Sequence, residues 1–343
     1  MAHQSLYRAY RPQAFKDVIG QDQVTGPLAE QIASGRVGHA YLFAGSRGLG
    51  KTSIARIFAR ELETNERDIY ELDAASNNGV DEVRALNESV HTLPYNSARK
   101  VYILDEAHML SKNAWNALLK TLEEPPAHVV LILATTELEK VPETVRSRCQ
   151  VFQFKKPTRS MLAKLVLEVS KKEGFTVEPA AADLIALLGD GSYRDALSVL
   201  EKALASSTDK KLTREEAEKA TGAPRHMLVH ALAVALSEGD ENEALTTIRT
   251  VADQGIDLPL YLALMLEYVR QILLLRHAPE LKKDIEEELG ADAFSDALVL
   301  SSDPASKLSH DTLRLLLEAM GRTRFTPVLS LPLELFVLEH TRA

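Results

Sequence analysis

An eight-residue run, Gly45-Ser46-Arg47-Gly48-Leu49-Gly50-Lys51-Thr52, constrains the fold of this 343-residue chain more than any other feature. It fits G-x-x-x-x-G-K-[ST] without a gap. Residues 39–44 before it form a short apolar run with strand character, and residues 52–62 after it have helical periodicity. The run therefore turns a strand into a helix, the context in which such a loop cradles phosphate. Glycines let the backbone curl so that successive N–H groups face phosphate oxygens, and the helix N-terminus adds a favourable dipole. Lys51 is placed to reach the β- and γ-phosphates, the Thr52 hydroxyl to ligate Mg2+, and Ser53 continues the loop into the helix. A chance glycine-rich turn would lack this strand-and-helix frame.

Further strand signals follow at 69–72, 100–104, 129–134 and 151–154, separated by helical patterns at 80–93 and 113–122. Continuous apolar strands alternating with helices predict a parallel sheet covered on both faces. The run Val101-Tyr102-Ile103-Leu104 ends in Asp105-Glu106, so two carboxylates emerge at the carboxyl end of a central strand, where ligands of such sheets sit. Asp105 is the expected Mg2+ holder, and Glu106 the group that orients and polarises an attacking water. An acidic pair capping the next helix is the blander alternative. The string Asp105-Glu106-Ala107-His108 points to helicase-like and AAA+ ATPases rather than to small-molecule kinases.

After Lys155-Lys156-Pro157 the strand signal stops. Three helical patterns fill 160–204. Thr213 with Glu216 reads as a capping box opening a helix, and Gly222-Ala223-Pro224 reads as a joint. Helical stripes at 228–236, 244–251, 260–275 and 313–320 complete the chain. The expected domains are an α/β nucleotide-binding domain at 1–156, a small helical domain at 157–222 and a larger all-α domain at 223–343, a size that allows each its own core. No run of eighteen apolar residues is present, and Met1-Ala2-His3-Gln4-Ser5 lacks a signal-peptide core, so no membrane association is expected. Cys149 is the one cysteine, which excludes a disulfide framework and a multi-thiolate zinc site. A cytoplasmic location is the default. The net charge of −9 opposes nucleic acid as a partner, but basic residues dominate positions 1–60 while acidic runs such as 284–288 fall late.

Tyr10-Arg11-Pro12, Phe15, Val18-Ile19-Gly20-Gln21, His108-Met109-Leu110-Ser111, the run from Asn116 to Pro126, Ala134-Thr135-Thr136, Ser147-Arg148-Cys149 and Gly191-Ser192-Tyr193-Arg194-Asp195-Ala196-Leu197 together carry a resemblance. By these motifs the chain resembles bacterial clamp-loader subunits of the gamma/tau family. The resemblance is dense from Leu6 to about Leu204 and rests on helical character alone beyond Gly222. It implies an AAA+ domain, a helical lid and a helical collar. It further implies that Tyr7 to Arg11, with Val18 and Ile19, border the adenine of ATP, and that Thr136 or its neighbour Thr135 senses the γ-phosphate. Arg148 is implied to be a finger reaching the ATP of an adjacent subunit, and Arg194 to contact the chain's own nucleotide. The alternatives are that Arg148 caps the preceding helix and that Arg194 pairs with Asp190 or Asp195. His108 is expected as a structural hydrogen-bonder, Trp115 as core, and Cys149 as a small buried residue, not a nucleophile.

The implied function is that of an ATP-driven motor of the DNA polymerase III clamp loader. Its implied partners are other loader subunits in a hetero-oligomer, expected as a pentameric ring, the sliding clamp and primer–template DNA. DNA contacts would be to phosphate and salt-dependent, with Arg84, Arg99, Lys100 and Lys112 as candidates. A non-hydrolysing loader subunit and another AAA+ DNA-maintenance ATPase are the competing readings. The sequence departs from the family at residues 61–68, which bridge the place of a four-cysteine zinc module with no cysteine. Zinc is therefore not expected, and both natural loss and removal by design stay open. The length predicts no tau-type tail.

Overall fold

The computed structural model describes residues 4–207, 209–323 and 326–342. Met1, Ala2 and His3, on which the expectation of no signal segment partly rests, lie outside them. The chain divides into two compact units, Met1–Leu162 with Leu188–Ser198, and Ala163–Leu187 with Val199–Ala343.

The first unit is built on five strands, β1 (Ala40–Ala44), β2 (Ile69–Asp73), β3 (Lys100–Asp105), β4 (Val129–Thr135) and β5 (Gln150–Gln153). Their order is β2-β3-β4-β1-β5, and every pairing is parallel. The helices of this part are α1 (Leu6–Ala9), α2 (Asp22–Ala33), α3 (Lys51–Glu61), α4 (Val80–Val90), α5 (Lys112–Glu123) and α6 (Glu143–Arg146). Successive strand residues alternate between two cores, as the pleat requires. Leu42, Tyr102, Leu104, Leu131 and Leu133 pack with Val83, Leu86, Trp115 and Leu118 of α4 and α5. Tyr41, Phe43, Val101, Ile103, Val130 and Ile132 pack with Leu28, Ile54 and Phe58 of α2 and α3. The continuous apolar runs thus mark strands buried on both faces, as expected, and Trp115 is core.

The link that lacks cysteines is closed by Asp68. Burial by itself would raise its carboxyl, but the backbone N–H groups of Tyr95 and Asn96 donate to it at 2.6 and 3.1 Å and hold it below the ordinary range. Lys100 corrects an expectation. It is 3% exposed, and its Nζ donates to Thr92 Oγ1 at 2.6 Å, so it offers DNA no surface. Arg84 and Lys112 are exposed and Arg99 is half-buried.

The remaining elements are α7 (Arg159–Lys172), β6 (Thr176–Val177), α8 (Pro179–Leu188), α9 (Tyr193–Ser206), β7 (Lys211–Leu212), α10 (Arg214–Thr221), α11 (His226–Glu238), α12 (Glu241–Asp253), α13 (Leu258–His277), α14 (Lys282–Leu289), α15 (Ala291–Ser302), α16 (His310–Arg322) and α17 (Leu331–Arg342). The parallel pair β6–β7 runs against the expectation that strands end at residue 154. Two residues each are too few to carry an alternating pattern. The capping box at Thr213 forms, with Glu216 N–H donating to Thr213 Oγ1 at 3.3 Å and Thr213 N–H to Glu216 Oε2 at 2.9 Å. Helix α13 is long and apolar enough to cross a membrane by length and composition. Within the second unit, however, it buries Tyr261, Leu262, Met265, Tyr268, Val269 and Ile272 and packs on α11, α15 and α16, the behaviour of a core helix.

Candidate functional site

The carboxyl ends of β1, β3 and β4 bring the loop and the acidic pair together. Register pairs Ala44 with Thr135, and Gly45 N–H donates to Thr135 O at 3.2 Å, which ties the start of the glycine loop to β4. The loop then needs backbone that side chains resist. Gly50 has φ +91° at the N-cap of α3. Gly48 has φ +76°, and a Cβ there would lie 1.9 Å from Ser192 Oγ. Ser53 and Leu49 are buried, Gly45, Ser46 and Thr52 are half-buried, and Arg47 is exposed.

Lys51 is 6% exposed. Its Nζ donates to Gly45 O at 2.6 Å and Ser46 O at 2.9 Å. Burial lowers its pKa, opposed by the charges of Glu106 and Asp105. The ammonium is thus held over its own loop by carbonyls, which phosphate oxygens can replace with stronger charge-assisted bonds. Thr52 Oγ1 donates to Asp105 Oδ2 at 2.7 Å. A hydroxyl beside a carboxylate is an all-oxygen donor pair, which fits a hard cation that keeps several waters.

Glu106 has φ +47° and ψ +43°, left-handed backbone that a non-glycine residue adopts at a cost of about 1–3 kcal/mol. The turn swings its carboxylate beside β4, where Thr136 Oγ1 donates to Glu106 Oε2 at 3.2 Å. His108 Nδ1 lies 3.5 Å from the same oxygen and 3.2 Å from Thr135 Oγ1, and its Nε2 lies 3.4 Å from Glu137 Oε1. Lys140 donates to Glu137 at 2.9 Å, and that bond leads in holding the Glu137 carboxyl below its usual range. Of the two threonines, Thr135 is fully buried and Thr136 half-buried with its hydroxyl on Glu106. Sequence reasoning missed Glu137 and the left-handed backbone that carries Glu106. The only trace of the first is its place two residues past a strand end, and no residue pattern marks the second.

The other expected site residues fall into two groups. Arg194 stacks its guanidinium 4.8 Å over the Tyr7 ring. Arg11 is half-buried, and its pKa is lowered by burial first, then by Arg56, Arg194 and Arg8, with Glu71 opposing. Glu71 itself is gripped by Arg56. Arg11 thus feels three other arginines and one carboxylate, an excess of positive charge suited to a polyanion. Tyr193 Oη donates to Ile19 O at 2.6 Å, and Val18 packs on the α2–α3 core. Arg148 lies apart from this group in its bonding. It donates to Thr144 O and Glu123 Oε1, both at 2.7 Å, so in this chain it does cap α6. Cys149 is half-buried, and burial pushes its thiol up to about 12, which keeps it protonated and a poor nucleophile.

Known proteins align with this arrangement. The family described as DNA polymerase III, delta subunit, matches residues 63–158. The DNA polymerase III clamp loader subunit ATPase lid domain matches 163–209, and domain III of DNA polymerase III subunits gamma and tau matches 212–317. DNA polymerase III subunit tau of Bacillus subtilis is 41% identical over 317 residues, covering 86% of this chain and 56% of that protein. DNA polymerase III subunit gamma of Buchnera aphidicola is 33% identical over 306 residues, covering 83% of this chain and 84% of that one. The chain spans 56–57% of the length of the first relatives it matches. Among solved structures, the RuvB Holliday junction branch migration motor of Thermotoga maritima superposes with a TM-score of 0.54 over 90% of this chain and 98% of that one, at 21% identity. That likeness shows the fold alone.

Proposed function

We propose a function from one premise that the relatives establish: the chain belongs to the DNA polymerase III gamma/tau family of clamp-loader subunits. On this reading it is an ATP-driven motor subunit that hydrolyses ATP to ADP and phosphate and loads the sliding clamp onto primer–template DNA. The observation that carries the chemistry is the convergence of Lys51, Thr52, Asp105, Glu106 and Thr136 at the ends of three adjacent strands. Lys51 binds the β- and γ-phosphates, and the glycine loop supplies backbone donors. Thr52 and Asp105 hold Mg2+, which when bound neutralises charge developing between the phosphates. Glu106, turned by its left-handed backbone, polarises the attacking water once Thr136 releases it to the γ-phosphate side. Tyr7, Arg11, Val18 and Ile19 border the adenine, and Arg194 neutralises the chain's own nucleotide.

Arg148 acts in trans on the ATP of a neighbouring subunit. Its bonds to Glu123 and Thr144 are the resting position it leaves on assembly, which makes turnover depend on the oligomer, a pentameric ring with other loader subunits. The domains of this motor are 1–156, 157–222 and 223–343. The last forms the collar, and Leu317, Leu329, Leu331 and Leu335, exposed at 57, 60, 39 and 37%, supply apolar surface for it. Its place is the cytoplasm, at the nucleoid. The test is steady-state ATP hydrolysis with the other loader subunits, with and without clamp and primed DNA. Strong stimulation by clamp and DNA together, lost in Lys51→Ala, supports the reading; turnover indifferent to the clamp overturns it.

A further inference from the structure

Far from the nucleotide chemistry in sequence, one buried side-chain nitrogen of the second unit has no hydrogen-bond partner. It is Nε2 of His226, at the first turn of α11. Asp296 Oδ2, on α15, stands 3.8 Å from it, beyond hydrogen-bond reach. His230 lies one helical turn on, at i+4 and on the same face. Its Nδ1 is 3.1 Å from Tyr268 Oη of α13, which engages that nitrogen and leaves Nε2 as the other one. One ligating atom from each of His226, His230 and Asp296 lies within 4.8 Å of the other two.

We propose that His226, His230 and Asp296 form a binding site for one divalent transition-metal ion of the zinc type, with water in the fourth position, fastening α11 to α15. Tetrahedral zinc with metal–ligand bonds of about 2.0–2.1 Å sets its ligands roughly 3.3 Å apart. The observed spacing therefore closes on an ion by small side-chain rotations. Two imidazoles and one carboxylate suit zinc, cobalt or nickel and not magnesium or calcium, which take oxygen. Arg214 is the nearby positive charge felt by His226. Arg214 is itself held by Glu218 at 3.1 Å, which tempers its repulsion of a cation. Tyr268 is the outer partner that sets the His230 ring, as metal-bound histidines require. The site stands whether or not the chain loads clamps.

The test uses the full chain, stripped with EDTA and held in excess Mg2+ to occupy the all-oxygen site. Titration with Co2+ is followed by its visible absorption, and Zn2+ affinity is measured by calorimetry. The expected result is one Co2+ per chain with the intense bands of tetrahedral coordination, displaced by Zn2+. Zn2+ affinity should fall more than about 100-fold in His226→Asn and in His230→Asn, and about 10-fold in Tyr268→Phe. Zn2+ should raise the melting temperature of the parent chain and not of the histidine variants. Asp296→Asn, at a side chain 45% exposed, keeps shape and covers the case in which a histidine variant fails to fold; it too should lose Zn2+ affinity. Absence of tetrahedral Co2+ bands in the parent, or unchanged Zn2+ binding in Asp296→Asn, overturns the proposal and leaves a packed cluster of rings.

Discussion

The two compact units bury polar groups in opposite ways. In the first, charged and hydroxyl side chains gather where strands end: Lys51 beyond β1, Asp105 closing β3 with Glu106 next, Thr135 closing β4 with Thr136 next. A parallel sheet points all its carboxyl ends one way, so groups far apart in sequence meet at one edge. In the second, polar side chains are buried singly or in small knots between helices, as with His340 Nε2 against Leu236 O at 3.1 Å and His226 against Asp296. The difference teaches that the first unit can be disarmed without being unfolded, while the second can be unfolded by changes that touch no chemistry.

That contrast can be broken by measurement, and the largest expected effect is at Arg148. In the assembled oligomer Arg148→Ala should lower ATP turnover about 10³-fold or more while nucleotide affinity and melting stay near the parent's; parallel loss of binding and fold would place it in the scaffold instead. Lys51→Ala should cost about 10²–10³ in turnover, with thermal unfolding little changed because its partners are two loop carbonyls. In the second unit Ile272→Ala, at a fully buried position of α13, should cost about 2–5 kcal/mol in denaturant unfolding with no direct effect on the strand-end groups.

Acid should act on the second unit next. Unfolded His226 titrates near 6.5 and folded near about 4, so between those values the unfolded chain binds more protons. Stability from this residue is complete above about pH 6.5 and is lost as pH falls toward 4, on the order of 3 kcal/mol in all. His340, lowered by burial, adds in the same direction. Denaturant titrations at pH 7 and 4.5 should diverge in the parent and diverge less in His226→Phe, with the His340 share remaining. The smallest effect sits in the first unit: Cys149 should react with a thiol reagent at pH 8 far more slowly in the native chain than in denaturant, and equal rates would contradict its burial.

Much of the fold could be read from residues because the signals were local. The runs at 100–104 and 129–134 are apolar at every position, and only strands buried on both faces tolerate that. The two-residue strands β6 and β7 escaped because a pattern needs length. In the candidate site, the meeting of Lys51 and Thr52 with Asp105 and Glu106 was readable from spacing, since the glycine loop and the acidic strand end each carry a local signature. The burial of Lys100 was not, since a lysine at a strand start looks the same whether its ammonium meets solvent or Thr92.

By itself, then, the sequence determined what depends on neighbours along the chain: strand, loop and helix around Gly45 to Thr52, the acidic pair at the end of β3, the capping box at Thr213 and the family. Only the tertiary structure decided what depends on approach through space. It set Glu106 in left-handed backbone with Thr136 and His108 around its carboxylate, turned Arg148 onto Glu123, stacked Arg194 on Tyr7, and brought His226 and His230 to Asp296 across about seventy positions. Local hydrogen bonding and sterics act over a few residues, whereas these contacts form only after the cores have closed and their desolvation has made each polar partner matter.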